Sequence, residues 1–124
     1  MNKKQKSFCR RWIKALRSGD YKQGYHALRS WDDKFCCLGV ACDLLQPKIK
    51  WDKAIGYYYI KDYNGNYPPV SLFITATGLI GESMYALAIM NDQRKSFLTI
   101  ADVIEESINK VEDDCQAKID YDVT

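Results

Sequence analysis

The stretch KFCCLGVACDLLQP, residues 34–47, holds three of the five cysteines of this 124-residue chain. Its first residues predict a buried strand, and the residues that follow repeat with the period of one helix face until Pro47 ends the pattern. The residues with helical spacing are Leu38, Ala41, Cys42 and Leu45. Cys36 and Cys37 therefore lie where a buried strand passes into the start of a helix.

The segment before this stretch predicts a hairpin. YHALRS and KFCC have the composition of two short strands, and WDD between them is typical of a turn. Farther along the chain, Asn64-Gly65 is a strong hairpin signal after the strand-like residues 57–60. VSLFITATG after Pro68-Pro69 predicts a short helix or a strand, and the apolar run SMYALAIMND fits either state.

The two ends predict amphipathic helices. KSFCRRWIKALRSG has its apolar residues on one face and Gly19 where a left-handed turn would end the helix. SFLTIADVIEESINKV repeats in the same way, with Ser96 as its N-cap. The apolar faces are Phe8, Trp12, Ile13 and Leu16 in the first helix, and Phe97, Ile100, Ile104, Ile108 and Val111 in the last.

Together these patterns predict an α+β fold in which a small antiparallel sheet built from hairpins is flanked by the N-terminal and C-terminal amphipathic helices. We expect a single domain over residues 1–124, with an acidic tail over about 113–124 that frays. The composition is 47% hydrophobic and 27% charged, which is typical of a soluble globular protein. No apolar run approaches the roughly 20 residues of a membrane helix, and no secretory signal is expected.

Charge is distributed unevenly along the chain. Residues 1–34 carry ten Lys and Arg against three Asp and Glu, whereas residues 35–124 carry eight against thirteen. The basic quarter could attract phosphates or an acidic partner, or it could neutralise the acidic C-terminal helix of its own fold. The sequence leaves both open.

The cysteines have three interpretations. A metal site is disfavoured because the spacing lacks paired knuckles and His26 is the single histidine, so we expect no metal and no cofactor. A nucleophile, Cys36 or Cys37 with His26, would benefit from the helix start, and FCCLGV resembles the cysteine entry of papain-like cell-wall peptidases. Those enzymes carry a histidine after the cysteine, and here none follows. Burial among apolar neighbours is therefore the preferred interpretation, with free thiols in a reducing cytosol.

Four segments in this order resemble a group of small, mostly uncharacterised accessory proteins of tailed bacteriophages. The segments are ALRSGDYKQGYHALR, FCCLGVACDLL, AIMND and SFLTIADVIEESI, and the resemblance spans roughly residues 12–108. It implies an accessory protein that works in the cytoplasm of the host bacterium. By analogy with other small phage proteins, we expect it to counter host defence by sequestering a nucleotide-type signal, such as a cyclic dinucleotide or an ADP-ribose derivative.

The sequence contains residues suited to such a phosphorylated ligand, and they fall in two loops at the ends of predicted elements. Cationic groups would take phosphate, amides would bind polar edges, and a tyrosine would stack on a base. The candidate residues are Lys22, Gln23, Tyr25, Arg29, Lys34, Asn91 and Asp92.

Other interpretations remain at this stage. A hydrolase that degrades the signal is one, and a direct protein–protein inhibitor of a host defence protein is another. We expect a homo-oligomer, most simply a homodimer, and no membrane partner. Nucleic acid is not expected because no known fold signature appears and the pI is near 8.2.

Overall fold

The computed structural model describes residues 1–63, 65–110 and 118–119. Five helices and five strands lie within these residues and confirm the α+β class. In chain order they are α1 (Lys3–Ser18), β1 (Lys22–Gln23), β2 (Arg29–Ser30), β3 (Lys34–Phe35), α2 (Cys37–Leu44), β4 (Trp51–Ala54), β5 (Tyr57–Ile60), α3 (Val70–Thr77), α4 (Gly81–Asp92) and α5 (Phe97–Lys110).

The strands form one sheet in the order β1-β3-β2-β5-β4. β2 and β3 form the hairpin expected around WDD, with Arg29 opposite Phe35. β4 and β5 form a second antiparallel hairpin, and β2 also pairs antiparallel with β5. β1 joins the far edge parallel to β3. The sheet is thus mostly antiparallel, as predicted, with one short parallel edge.

Some local predictions were wrong. The middle hairpin turns at Ile55-Gly56, where Gly56 has φ +90°, so Tyr57–Ile60 is the returning strand and not the leading one. Asn64 of the expected Asn-Gly turn lies outside the described residues. The segment YHALRS contributes only its last two residues to a strand, and a strand over the whole segment is excluded because His26 has φ +65°.

The ambiguous middle segments are both helical. VSLFITAT forms α3, and the run that fitted helix or strand forms most of α4. Length explains the second case, since a run of ten residues is longer than a typical strand and suits a helix better.

The core lies between the helices and one face of the sheet. α1 packs on α5, α3 and α2, and the predicted apolar faces of α1 and α5 are buried. Val111, the last member of the α5 face, lies outside the described residues. Gly19 ends α1 in the left-handed conformation, and the Ser96 Oγ accepts the Thr99 N–H at 3.2 Å to cap α5. No helix among the described residues is long and apolar enough to cross a membrane.

Gly39 allows α2 to lie directly against the backbone that precedes β2. A Cβ atom at this position would lie 1.7 Å from the Leu28 carbonyl oxygen. Because that atom belongs to the backbone, the clash could be relieved only by moving α2 or the strand. Gly39 therefore permits the close approach of α2 to this segment.

We therefore expect Gly39→Ala to destabilise the protein by roughly 3 kcal/mol or more, since overpacking here displaces backbone. Gly81→Ala is the matched control, because its Cβ would meet only ordinary contacts in α4. Alanine favours a helix over glycine, so the control should be neutral or stabilising by up to about 1 kcal/mol. Urea unfolding of both variants measures the difference, and equal effects would contradict the proposed close packing.

Because of the buried thiols, the stability of the fold depends on pH in the alkaline range. Burial raises the pKa of Cys9 to about 12 and that of Cys36 to about 11, and it also raises the pKa of Cys37 and Cys42. A thiol whose pKa is raised in the folded state contributes its full stabilisation below its pKa in the unfolded chain, about 8.5. This contribution is lost as the pH rises towards 11.

We expect the free energy of unfolding to fall between about pH 9 and 11, by about 1.4 kcal/mol per pH unit for each buried thiol. Urea unfolding at pH 8, 9 and 10 measures the slope. Cys42→Ala isolates the thiol contribution from that of lysines and tyrosines, because it should reduce the slope by one thiol. An unchanged slope in that variant would show that Cys42 is not held protonated.

Candidate functional site

The start of α2 is organised by its two adjacent cysteines. Cys36 is the N-cap residue, and its Sγ accepts the Gly39 N–H at 3.4 Å. Cys37 is the first helical residue, and its N–H donates to the Asn91 Oδ1 at 3.1 Å. The N–H groups at a helix start need partners outside the helix. Here a thiol and a distant amide supply them.

Asn91 lies in the last turn of α4 and is completely buried. Its Oδ1 accepts the Cys37 N–H and also the Gln23 Nε2 at 3.0 Å. Its Nδ2 donates to the Gly24 carbonyl at 2.9 Å. One side chain thus joins the end of α4 to the start of α2 and to the segment after β1.

Asp92, the next residue, holds the segment before β2. Its Oδ1 accepts the His26 backbone N–H at 3.3 Å and lies 3.6 Å from the His26 Nδ1. His26 has φ +65°, a left-handed conformation that is uncommon outside glycine. The carboxylate therefore holds the backbone of a histidine in an unfavourable conformation and lies close to its ring.

These elements surround a cleft of about 210 Å³ between the start of α2 and the end of α4, which we name the α2–α4 cleft. It is lined by His26, Ala27, Cys36, Leu38, Asn66, Tyr67, Ala88 and Asp92. Tyr67 is supported from one side by an edge-to-face contact with Tyr85, with ring centroids 5.0 Å apart. The cleft combines a carboxylate, an imidazole, a primary amide and a phenol ring.

The thiols fit a structural role. All four described cysteines are buried and free, which confirms the predicted burial, and Cys115 lies outside the described residues. Cys37 donates its thiol to the Leu87 carbonyl at 3.5 Å. Burial raises the pKa of Cys36 to about 11, so this thiol is protonated at neutral pH and is a weak nucleophile. Among the described residues, no group of three or more His, Cys, Asp and Glu side chains could hold a metal ion.

The structure brings together only part of the predicted ligand set. Gln23 and Asn91 meet, but their side-chain amides are hydrogen-bonded to each other and do not line the cleft. Of the predicted ligand residues, Asp92 is the one that lines it. Tyr25 lies beneath the Arg94 guanidinium, which is 4.2 Å from its ring centroid. One face of the Tyr25 ring is therefore already covered.

The predicted phosphate ligands lie elsewhere. Arg29 donates to the Asp33 carboxylate at 2.7 and 2.9 Å, and its guanidinium stacks 3.8 Å above the Tyr58 ring. Lys34 lies 3.7 Å from the Asp32 carboxylate. These two residues and Lys22 do not line the α2–α4 cleft. Arg29 thus acts as a packing residue of the sheet.

Sequence reasoning missed Asn66 and Tyr67 as site residues. Nothing in their local pattern distinguishes them from other loop residues, since they reach the cleft only because the chain before α3 passes over it. The structural role of Asn91 did have a signal, because it is a polar residue at the end of a long apolar run. A buried amide there requires several partners.

A family model described as Domain of unknown function (DUF8296) matches residues 1–108. The chain belongs to this family. The match includes every residue that lines the cleft, together with α1 and nearly all of α5. Neither the curated proteins nor the solved structures contain a match to the chain. DUF8296 membership therefore assigns no activity, and the chemistry must be inferred from the site.

We expect Asn91→Ala to destabilise this DUF8296 chain by roughly 2–4 kcal/mol, because the Cys37 N–H and the Gly24 carbonyl would lose their partner. Asn109→Ala is the matched control, since Asn109 is exposed on α5 and alanine is the better helix former. Urea unfolding should show stability unchanged or slightly raised in the control. A loss below about 0.5 kcal/mol for Asn91→Ala would show that these bonds are dispensable.

Proposed function

We propose that this chain is a counter-defence protein of a tailed bacteriophage that sequesters a small nucleotide-type immune signal in the host cytoplasm. The phage origin rests on the sequence resemblance. The binding function rests on one observation, which is the cleft formed where the segment after β1 meets the end of α4.

The lining of the cleft suits a nucleoside better than a free phosphate. The Asp92 carboxylate accepts hydrogen bonds, as a ribose diol or a base amino group would require. Tyr67 offers an aromatic ring for stacking, and His26 and Asn66 offer polar contacts to a base edge. The Tyr85 ring supports Tyr67 from one side.

Size limits what the cleft can hold. A volume of about 210 Å³ equals that of about seven water molecules and is below the usual range for whole drug-sized ligands. We therefore expect one base or ribose to enter while the remainder of the ligand extends over the rim. A second copy of the chain placed over that rim would enclose the remainder, which is why a homodimer belongs to the proposal.

Phosphate recognition falls to Arg94 in this proposal, because no Lys or Arg lines the cleft. Arg94 follows Asp92 by two residues and stacks on Tyr25, which directly precedes His26. The Arg94–Tyr25 pair thus lies beside the His26–Asp92 pair. Nanomolar affinity corresponds to about −12 kcal/mol, so the carboxylate, the ring and the guanidinium must act together.

A cysteine hydrolase is the second candidate. Cys36 lines the same cleft as His26, whose Nδ1 faces the Asp92 carboxylate. A thiol, an imidazole and a carboxylate are the groups that a nucleophile, its base and the group that orients the base would require. The raised pKa of Cys36 disfavours this candidate, and the experiment below separates the two.

We expect the purified protein to retain a ligand when it is incubated with a panel of cyclic dinucleotides and ADP-ribose derivatives and then freed of unbound compound. Denaturation and mass spectrometry identify what is released, and light scattering reports the oligomeric state. Asp92→Asn should lower the affinity for the ligand at least tenfold, because an NH2 group replaces one of the two carboxylate oxygens. The remaining oxygen can still accept the His26 N–H, so the backbone of the cleft should be kept.

Lys34→Gln is the matched control for that variant, since Lys34 was predicted from sequence but does not line the cleft, and it should leave affinity unchanged. A cleaved product that disappears in Cys36→Ser would favour the hydrolase. No retained ligand, together with a host protein that co-purifies, would contradict the binding proposal and favour a direct inhibitor.

A further inference from the structure

The outward side of α1 carries cations and no acid. Its sequence KKQKSFCRRWIKALRS contains Lys and Arg but no Asp or Glu, and its apolar side chains face the core. We name four exposed side chains of this helix the α1 basic face: Lys3, Lys4, Arg10 and Lys14.

Ion pairs among the described residues do not neutralise these charges. Arg17, at the end of α1, pairs with Asp102 at 2.7 Å and Glu105 at 3.1 Å on α5. Within the described part of the chain, no acidic side chain forms an ion pair with the α1 basic face. Neutralisation of the acidic last helix therefore accounts for the charge of Arg17. It does not account for the charges of the α1 basic face.

Folding does not explain the charges either. Lys3 and Lys4 occupy the first turn of α1, where the helix dipole is positive and acidic residues are favoured. A capping box between Asn2 and Gln5 supports this helix start without offsetting the charges. Residues that oppose the local preference of their element, with no compensating contact, are expected at functional or strained sites.

We propose that the α1 basic face binds the phosphate backbone of a nucleic-acid duplex without sequence preference. Lys3, Arg10 and Lys14 are spaced i, i+7 and i+11, so they form one stripe about 16 Å long at 1.5 Å per residue. One strand of a duplex presents a phosphate about every 3.4 Å of axis, so the stripe spans about five phosphates.

The chemistry of the face favours this partner over three others. Its aromatic side chains, Phe8 and Trp12, are buried, so it offers no ring on which single-stranded bases could stack. Lysine is depleted from the centres of protein–protein interfaces. Membrane-surface helices insert an apolar side, which in α1 is occupied by the core.

The pI near 8.2, which disfavoured nucleic-acid binding, is a property of the whole chain, in which charge is distributed unevenly. The excess of acidic residues lies in residues 35–124, whereas α1 is uniformly basic. Backbone binding depends on the local charge of a surface and not on the net charge of the whole chain.

The test is fluorescence anisotropy with a dye-labelled 20-base-pair DNA duplex and an RNA duplex of the same sequence, at about 50–200 mM salt. The unmodified chain should bind at least one of them, with an association constant that falls linearly with salt on logarithmic axes. The variant Lys3→Gln/Arg10→Gln/Lys14→Gln should reduce that slope by about 2.7, because each phosphate contact contributes about 0.9.

The matched control is Lys48→Gln/Lys50→Gln/Lys61→Gln, which removes the same net charge from exposed lysines around a different groove, next to the β4–β5 hairpin. It should keep the slope of the unmodified chain. Thermal melts verify that both variants fold, and if the α1 triple variant does not, Lys14→Gln alone should reduce the slope by about 0.9.

Three results would overturn the proposal. The first is no binding of either duplex at about 50 mM salt. The second is an equal reduction of the salt slope in both triple variants, which would show that net charge alone accounts for the binding. The third is an acidic host protein that the unmodified chain retains, and the α1 variant does not, without any duplex binding. None of these results depends on whether the α2–α4 cleft binds a nucleotide.

Discussion

The Asn91 side chain is the constraint on which the arrangement of the cleft depends. Three segments that are far apart in sequence end at this one amide: the residues after β1, the start of α2 and the end of α4. The amide is completely buried, and so is the Cys37 N–H that it accepts. No apolar side chain could replace it without leaving polar groups unpaired in the core. Among the described residues, no buried side-chain nitrogen or oxygen lacks a partner.

The helix geometry of α4 separates two adjacent residues into two roles. Successive residues of an α-helix differ by about 100° in direction, so Asn91 faces the core while Asp92 faces the cleft. The first holds the surrounding segments together, and the second presents a carboxylate and fixes His26. His26 and Arg94 both have positive φ values, +65° and +66°, on the two segments that Asp92 connects. Strained residues of this kind often occur at functional sites.

The two proposed surfaces differ in chemistry for a physical reason. The cleft contains one carboxylate, one imidazole and an aromatic ring, so it suits hydroxyl and amino groups that need acceptors. The α1 basic face contains only cations on a rigid helix, so it suits a regular array of phosphates. Arg29, the cation that sequence reasoning assigned to a ligand, belongs to neither surface, because Asp33 and three aromatic rings surround it.

Sequence alone determined the elements whose pattern is periodic. The apolar faces of α1 and α5 and the start of α2 follow from spacing, because local periodicity decides which face is buried. The hairpin of β2 and β3 follows from strand and turn composition, and the burial of the cysteines follows from their apolar neighbours. Tertiary structure alone decided the turn at Gly56, the role of Asn91 and the arrival of Tyr67 at the cleft. These depend on contacts between segments about 40 to 70 residues apart or on competition between turn signals. A local pattern does not name the partners in such contacts, and even the polar Asn91 at the end of an apolar run indicates only that partners are needed.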